Sequence, residues 1–162
     1  MSLYKTKFFG ELAIDETSDY EYLDLLYNNM PLYISLTGFN GQEEKTAKCI
    51  EIIDQYDKIH DISQKTIIEE FETNEVIQYY FKNHFDTLEK EITKNLFGTD
   101  DFSGFSAEET VKKLDYPDLV FSLEYNEISL SVDYRVSKEY SDEVLSIKMD
   151  ENLTIFDFSR EN

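Results

Sequence analysis

Ile128-Ser129-Leu130-Ser131-Val132-Asp133-Tyr134-Arg135-Val136 alternates apolar and polar side chains without a break. A period of two places Ile128, Leu130, Val132, Tyr134 and Val136 on one face of a half-buried strand and the polar set on the other. Working outward, Leu119, Phe121, Leu123 and Tyr125 repeat the alternation, with Asn126-Glu127 read as the turn between the two strands. Val144–Met149 and Leu153–Phe158 form a further pair across Asp150-Glu151-Asn152. At the other end of the chain, Phe8–Ile14 and Tyr20–Tyr27 read as strands. Asn28-Asn29 suits a tight turn because asparagine tolerates positive φ. Leu32, Ile34 and Leu36 then alternate with Tyr33 and Ser35 behind Pro31, a residue that sheets accept at an edge or a strand start.

Between these blocks the period changes to that of a helix. Cys49, Ile52, Ile53, Tyr56, Ile59 and His60 fall on one face. Ser63–Glu72 reads as a shorter helix. Val76, Ile77, Tyr80, Phe81, His84, Phe85, Leu88 and Ile92 read as one long helix closing near Phe97-Gly98. After a polar loop from Thr99 to Phe105, Ser106 and Glu109 have the spacing of a capping box, which predicts a short helix to about Leu114. Strands, then helices, then strands is the order of an α+β fold. The expected architecture is one domain over residues 1–162, an antiparallel sheet of N-terminal and C-terminal strands packed on three to four central helices.

Composition narrows the setting. The 162 residues include 35 acidic and 15 basic side chains, a net charge of −20. A hydrophobic fraction of 41%, with 12 Tyr and 12 Phe, separates the chain from acidic disordered sequences. Direct nucleic-acid binding needs a basic stripe to displace counterions, and anionic membranes attract basic rather than acidic segments. Neither partner is expected. One cysteine fits a reducing compartment, and Met1–Phe8 contains no long apolar run of the kind a signal peptide needs, so a cytoplasmic location is expected.

Familiar catalytic patterns are missing. His60 and His84 lie on apolar helix stripes, with no His-Glu-x-x-His and no second cysteine to complete a metal site. Both read as packing residues, and Cys49 as a core thiol. The five glycines form no phosphate-cradling loop, and there is no Gly-x-Ser-x-Gly elbow. No cofactor is expected. A small carboxylate-based or metal-dependent enzyme would need several acids and a histidine to converge in one pocket.

Charge distribution points elsewhere. Residues 98–162 carry 16 acidic and 6 basic side chains, half of the whole excess. Asp100, Asp101, Glu108, Glu109, Asp115 and Asp118 are interleaved there with Phe102, Phe105 and Tyr116. Aromatic anchors framed by complementary charge are a feature of protein interfaces. The candidate partner-binding residues are therefore Asp100, Asp101, Phe102, Glu108, Asp115 and Tyr116, and the expected partner is a basic protein. A homodimer through exposed strands and aromatics is the other association the sequence admits.

Phe8-Phe9-Gly10-Glu11-Leu12-Ala13-Ile14-Asp15 with Tyr20-Glu21-Tyr22-Leu23, and near the end Tyr140-Ser141-Asp142-Glu143-Val144-Leu145-Ser146-Ile147-Lys148-Met149-Asp150, are the segments that carry a likeness. They resemble a small acidic bacterial family catalogued only as a domain of unknown function, in which a Thr/Ser-Asp-Glu segment leads into a strand and hairpin. The sequence departs from that pattern at Asn28-Asn29-Met30, where a glycine is expected, and at its Ser159–Asn162 ending. In size, charge and layout the chain also resembles the immunity proteins of bacterial polymorphic-toxin systems. That likeness implies a stoichiometric inhibitor of a cognate toxin.

Overall fold

The computed structural model describes residues 1–162. An N-terminal hairpin pairs β1 (Ser2–Thr6) with β2 (Gly10–Ile14) as a separate two-stranded sheet. β3 (Tyr20–Tyr27) and β4 (Met30–Thr37) follow, joined at Asn28 and Asn29, whose φ angles of 49° and 63° make the tight turn expected of them. Five helices come next: α1 (Glu43–Ile53), α2 (Tyr56–Glu70), α3 (Glu75–Thr87), α4 (Lys90–Phe97) and α5 (Ala107–Val111). The chain ends in β5 (Asp118–Glu124), β6 (Glu127–Tyr134), β7 (Val144–Asp150) and β8 (Ile155–Glu161). The fold is α+β, as the order of sequence periods predicts.

The six strands of the main sheet lie in chain order, β3-β4-β5-β6-β7-β8. All neighbours are antiparallel except β4 and β5, which are parallel because the whole helical block crosses between them. Register fixes which side chains share a face. One row runs Leu23, Ile34, Leu119, Val132, Ile147, Phe158, and the next contains Leu36, Phe121, Leu130 and Met149. These rows join the helices in one cluster of buried side chains extending from Leu12 to Leu153. The opposite face carries Tyr22, Ser35, Val120, Ser131, Lys148 and Asp157 in one row, and Asp118, Asp133, Ser146 and Ser159 in another. Helices therefore cover one face, and the other is polar.

Several boundaries differ from the sequence reading. The first strand is Ser2–Thr6, and Phe8 and Phe9 occupy the turn after it. Their rings are used for plugging: Phe9 meets Tyr56 edge-on at 5.5 Å and Phe8 meets Tyr27 at 5.7 Å. The helix face from Cys49 to His60 is interrupted at Asp54-Gln55, where Asp54 Oδ1 accepts the Lys7 N–H at 2.8 Å and ties the hairpin to the helices. Ser63–Glu72 is then no separate helix but the body of α2. The long helix breaks at Leu88, which is extended, so that α4 folds back and Phe97 stacks on Phe85 at 4.7 Å. The β5–β6 turn lies at Tyr125-Asn126, one residue earlier than read, with φ of 50° and 64°. Gly38 is required where it stands: its φ is +86°, and a Cβ there would meet the Leu123 carbonyl oxygen at 2.9 Å.

Candidate protein-binding surface

The six residues singled out by charge and aromaticity lie along α5 and its flanking loops. Asp101 caps the single 3₁₀ turn Phe102–Gly104, its Oδ1 accepting the Ser103 N–H at 3.0 Å. Ser106 Oγ accepts the Glu109 N–H at 3.3 Å, the cap expected of α5. Asp100, Asp101 and Glu108 are exposed, and Glu108 reaches Lys112 only at 3.9 Å. Phe102 is half-buried, packed on Phe71, Phe85 and Phe105. Tyr116 is half-buried between Tyr27 and His60. Asp115 accepts the Lys138 N–H at 2.7 Å and so pins the loop after β6.

These residues do not converge on one point. Phe102 packs beside Phe71, just past the end of α2, whereas Tyr116 packs beside His60 near its start. Ten helical residues lie between those positions, about 16 Å of rise. Gln64, between them, donates to the Val111 carbonyl, so α5 is held alongside α2. The arrangement is a ridge, with exposed carboxylates at one end and the Asp115–Tyr116 loop at the other. Near that loop a shallow groove of about 320 Å³ is lined by Met30, His60, Gln64, Lys112, Lys113 and Tyr116, among others.

Both histidines have structural partners. The His84 Nδ1–H donates to the Tyr80 carbonyl at 2.7 Å, which leaves Nε2 to accept the Ser141 hydroxyl, 2.8 Å away. Burial holds the His84 pKa below the ordinary imidazole value, against the upward pull of the Tyr80 carbonyl and Glu143. Glu143 in turn binds Asn83 and Arg160, each at 2.8 Å. The Ser141-Asp142-Glu143 segment thus anchors the start of β7 to α3 and β8. His60 Nδ1 lies 2.8 Å from the Tyr134 hydroxyl, and burial depresses its pKa too. Cys49 is buried, and burial pushes its thiol pKa up. No group of three or more His, Cys, Asp or Glu side chains is arranged to hold a metal ion.

The polar face of the sheet contains two buried carboxylates. Asp118 accepts from Arg135, Lys138 and the Tyr33 N–H at 2.8, 3.1 and 2.9 Å. Asp133, its neighbour across β5 and β6, has only the Ser146 hydroxyl, at 2.6 Å. Burial raises the Asp133 pKa, with the Ser146 bond and Lys148 opposing the shift. A carboxyl whose folded pKa exceeds its unfolded value costs stability once pH passes the unfolded value, and the cost grows until pH exceeds the folded value. Asp133→Asn keeps an acceptor for Ser146 and removes that cost. Its midpoint in urea should equal or exceed that of the parent at pH 7, with the gain shrinking as pH falls through the raised folded value and absent below about pH 4, the unfolded value. A variant markedly weaker at pH 7 would show that the charge is favourable here.

Side chains displayed to solvent complete the surface. Tyr125 is 100% exposed at its hairpin tip in the left-handed region, an unusual conformation for a bulky residue. Tyr20, Tyr22 and Leu26 are exposed on β3, and Tyr79, Tyr140 and Phe156 elsewhere. The β3 set lies outside residues 98–162, which hold half of the charge excess. Its signal is the spacing Tyr20, Tyr22, Asp24, Leu26, every second residue. Compared with known proteins, the chain matches no family model, no curated protein and no solved structure. No helix is long and apolar enough to cross a membrane.

Proposed function

We propose that the chain is a cytoplasmic acidic protein-binding module, most concretely an immunity protein that occludes the cleft of a basic bacterial toxin, nuclease-type toxins included. One observation carries the reading. Of 35 acidic residues only Asp118, Asp133 and Glu143 are buried, so almost the whole charge excess faces outward. A field of one sign accelerates and selects encounters with a surface of the other sign. Asp100, Asp101 and Glu108 supply exposed carboxylates on the α5 ridge, while Phe102, Asp115 and Tyr116 set its shape. Inhibition is stoichiometric: carboxylates meet Lys and Arg around the toxin's cleft, and aromatic rings fill the contact.

The test is binding to any basic protein encoded beside this chain, measured calorimetrically at several salt concentrations. Affinity should fall at least about tenfold between 50 and 500 mM salt, because the Debye length shrinks from about 14 to about 4 Å over that range. Asp100→Asn, Asp101→Asn and Glu108→Gln combined should weaken binding by about tenfold or more at low salt. Asn preserves the cap at position 101, so circular dichroism should not change. Salt-independent binding, or no basic partner from that locus, overturns the reading.

A further inference from the structure

The main sheet has two edges, and only one is protected. At β8 the register with β7 shifts at Lys148/Met149, and the strand carries Asp157, Arg160 and Glu161. Arg160 is also held by Glu143 at 2.8 Å and lies over the Tyr79 ring at 4.0 Å. Bulges and charges of this kind are how proteins blunt an edge against pairing with another chain. β3 has no bulge, and its only charged side chains are the acidic Glu21 and Asp24. Its eight residues pair with β4 without a bulge from Tyr20↔Thr37 to Tyr27↔Met30, it contains no Pro or Lys, and no strand pairs on its other side.

The direction of its free groups follows from the register. The Gly38 N–H donates to the Asp19 carbonyl at 2.9 Å, so Asp19 and Gly38 face each other as a bonded pair. Bonded pairs recur every second residue, which turns Glu21, Leu23, Leu25 and Tyr27 toward β4. Tyr22, Asp24 and Leu26 therefore point their N–H and C=O groups away from the sheet. Tyr20 shares this orientation, but Ser18 Oγ accepts its N–H and donates to its carbonyl. Tyr22 and Leu26 are 47% and 61% exposed, whereas Leu23, Leu25 and Tyr27 on the inner face are half-buried.

Charge selects the occupant. Between Lys7 and Lys45 the chain has eight acidic residues and no basic one. A second copy would lay this base-free stretch against itself, whereas a basic segment would neutralise it. We infer that β3 is a docking edge that accepts an extended, Lys- or Arg-bearing segment of the partner as a seventh strand of the sheet. The inference rests on the proposed function, since it names the part of the chain that grips the basic partner. Main-chain hydrogen bonds to Tyr22, Asp24 and Leu26 supply the pairing. Alternate side chains of the incoming strand divide between the two faces. Basic ones lie beside Asp24 and over the Tyr22 ring, and apolar ones extend the row begun by Leu23 and Leu25.

A nine-residue peptide alternating Lys and Val is the probe, added to the full chain at 50 mM salt and followed by NMR titration and amide exchange. The Tyr22, Asp24 and Leu26 amides should become protected as the peptide saturates, while those of Leu23 and Leu25 are protected throughout. Asp24→Pro deletes an outward N–H without touching the β3–β4 bonds, and proline is tolerated on an edge. It should weaken peptide binding about tenfold, against about two- to threefold for Asp24→Asn, which removes the charge alone. Tyr22→Pro should act as Asp24→Pro does, and serves in its place if that variant does not fold. Protection confined to α5 or β8, equal effects of the Pro and Asn variants, or no binding of the peptide each overturns the docking edge. None of these touches the salt-dependent toxin binding, whose failure is read separately. Concentration-dependent protection of β3 in the absence of peptide would make the occupant a second copy and overturn the basic-strand inference.

Discussion

Asp118→Ala should lower the unfolding free energy by about 3–5 kcal/mol, the usual cost of removing one partner from a buried ionic cluster. The Asp118 side chain is wholly buried, and it compensates two cations at once, Arg135 and Lys138. It also accepts the Tyr33 N–H at the point where β4 and β5 begin their parallel pairing. Alanine leaves Arg135 without its carboxylate in a site where its side chain is only 18% exposed, and leaves the Tyr33 N–H without its acceptor. Asp118→Asn keeps an acceptor for that N–H and should cost less than alanine. Urea denaturation followed by circular dichroism measures both. Since small domains hold about 5–15 kcal/mol in total, the alanine variant should sit close to its melting limit. A loss below about 1 kcal/mol would mean that solvent takes over the role of the carboxylate.

The second large effect is expected at Phe81, where alanine should cost about 3–5 kcal/mol through lost burial and the cavity left behind. Phe81 is fully buried at the centre of the aromatic cluster. Its ring centroid lies 5.0 Å from that of Phe105, 5.2 Å from Tyr80, 6.2 Å from Phe71 and 6.4 Å from Phe97. These neighbours come from the C-terminal cap of α2, from α3 and α4, and from the loop before α5, so one ring joins the elements that form the ridge. Phe102 packs against three of the same surrounding rings or their neighbours, Phe71, Phe85 and Phe105. Loss of Phe81 should therefore loosen the Asp100–Phe102 end of the ridge as well as the core. The expected signature is a lower urea midpoint together with faster amide exchange in residues 99–106. An unchanged midpoint would show that the cluster closes over the cavity.

The two variants also mark where reading the sequence succeeds and where it fails. Phe81 is on a helix that a 3.6-residue period identifies, whereas Asp118 stands one residue ahead of the Leu119–Tyr125 alternation that marks its strand. Pattern alone also marks the Asn28-Asn29 turn and the Ser106 cap, because in each case the side chain or backbone preference is satisfied within a few residues. The breaks at Asp54-Gln55 and Leu88 are invisible to it. In both, an apolar helical stripe continues through the break, and the interruption serves a distant contact: Lys7 with Asp54, and Phe97 with Phe85. The proposed binding residues divide the same way. Their acidity and aromaticity are legible in the chain, but the rings of Phe102 and Tyr116 are engaged by residues far away in sequence.

Sequence by itself determined the α+β class, the positions of most strands and helices, and the sign and location of the charge excess. These depend on side-chain periodicity and composition, which are local. Tertiary structure decided that β4 and β5 run parallel, that Asp118 is a buried hub rather than one more surface acid, and that β3 is an edge. Pairing partners are chosen by nonlocal burial and hydrogen bonding, and an eight-residue strand such as Tyr20–Tyr27 carries the same pattern whether one neighbour or two lie beside it.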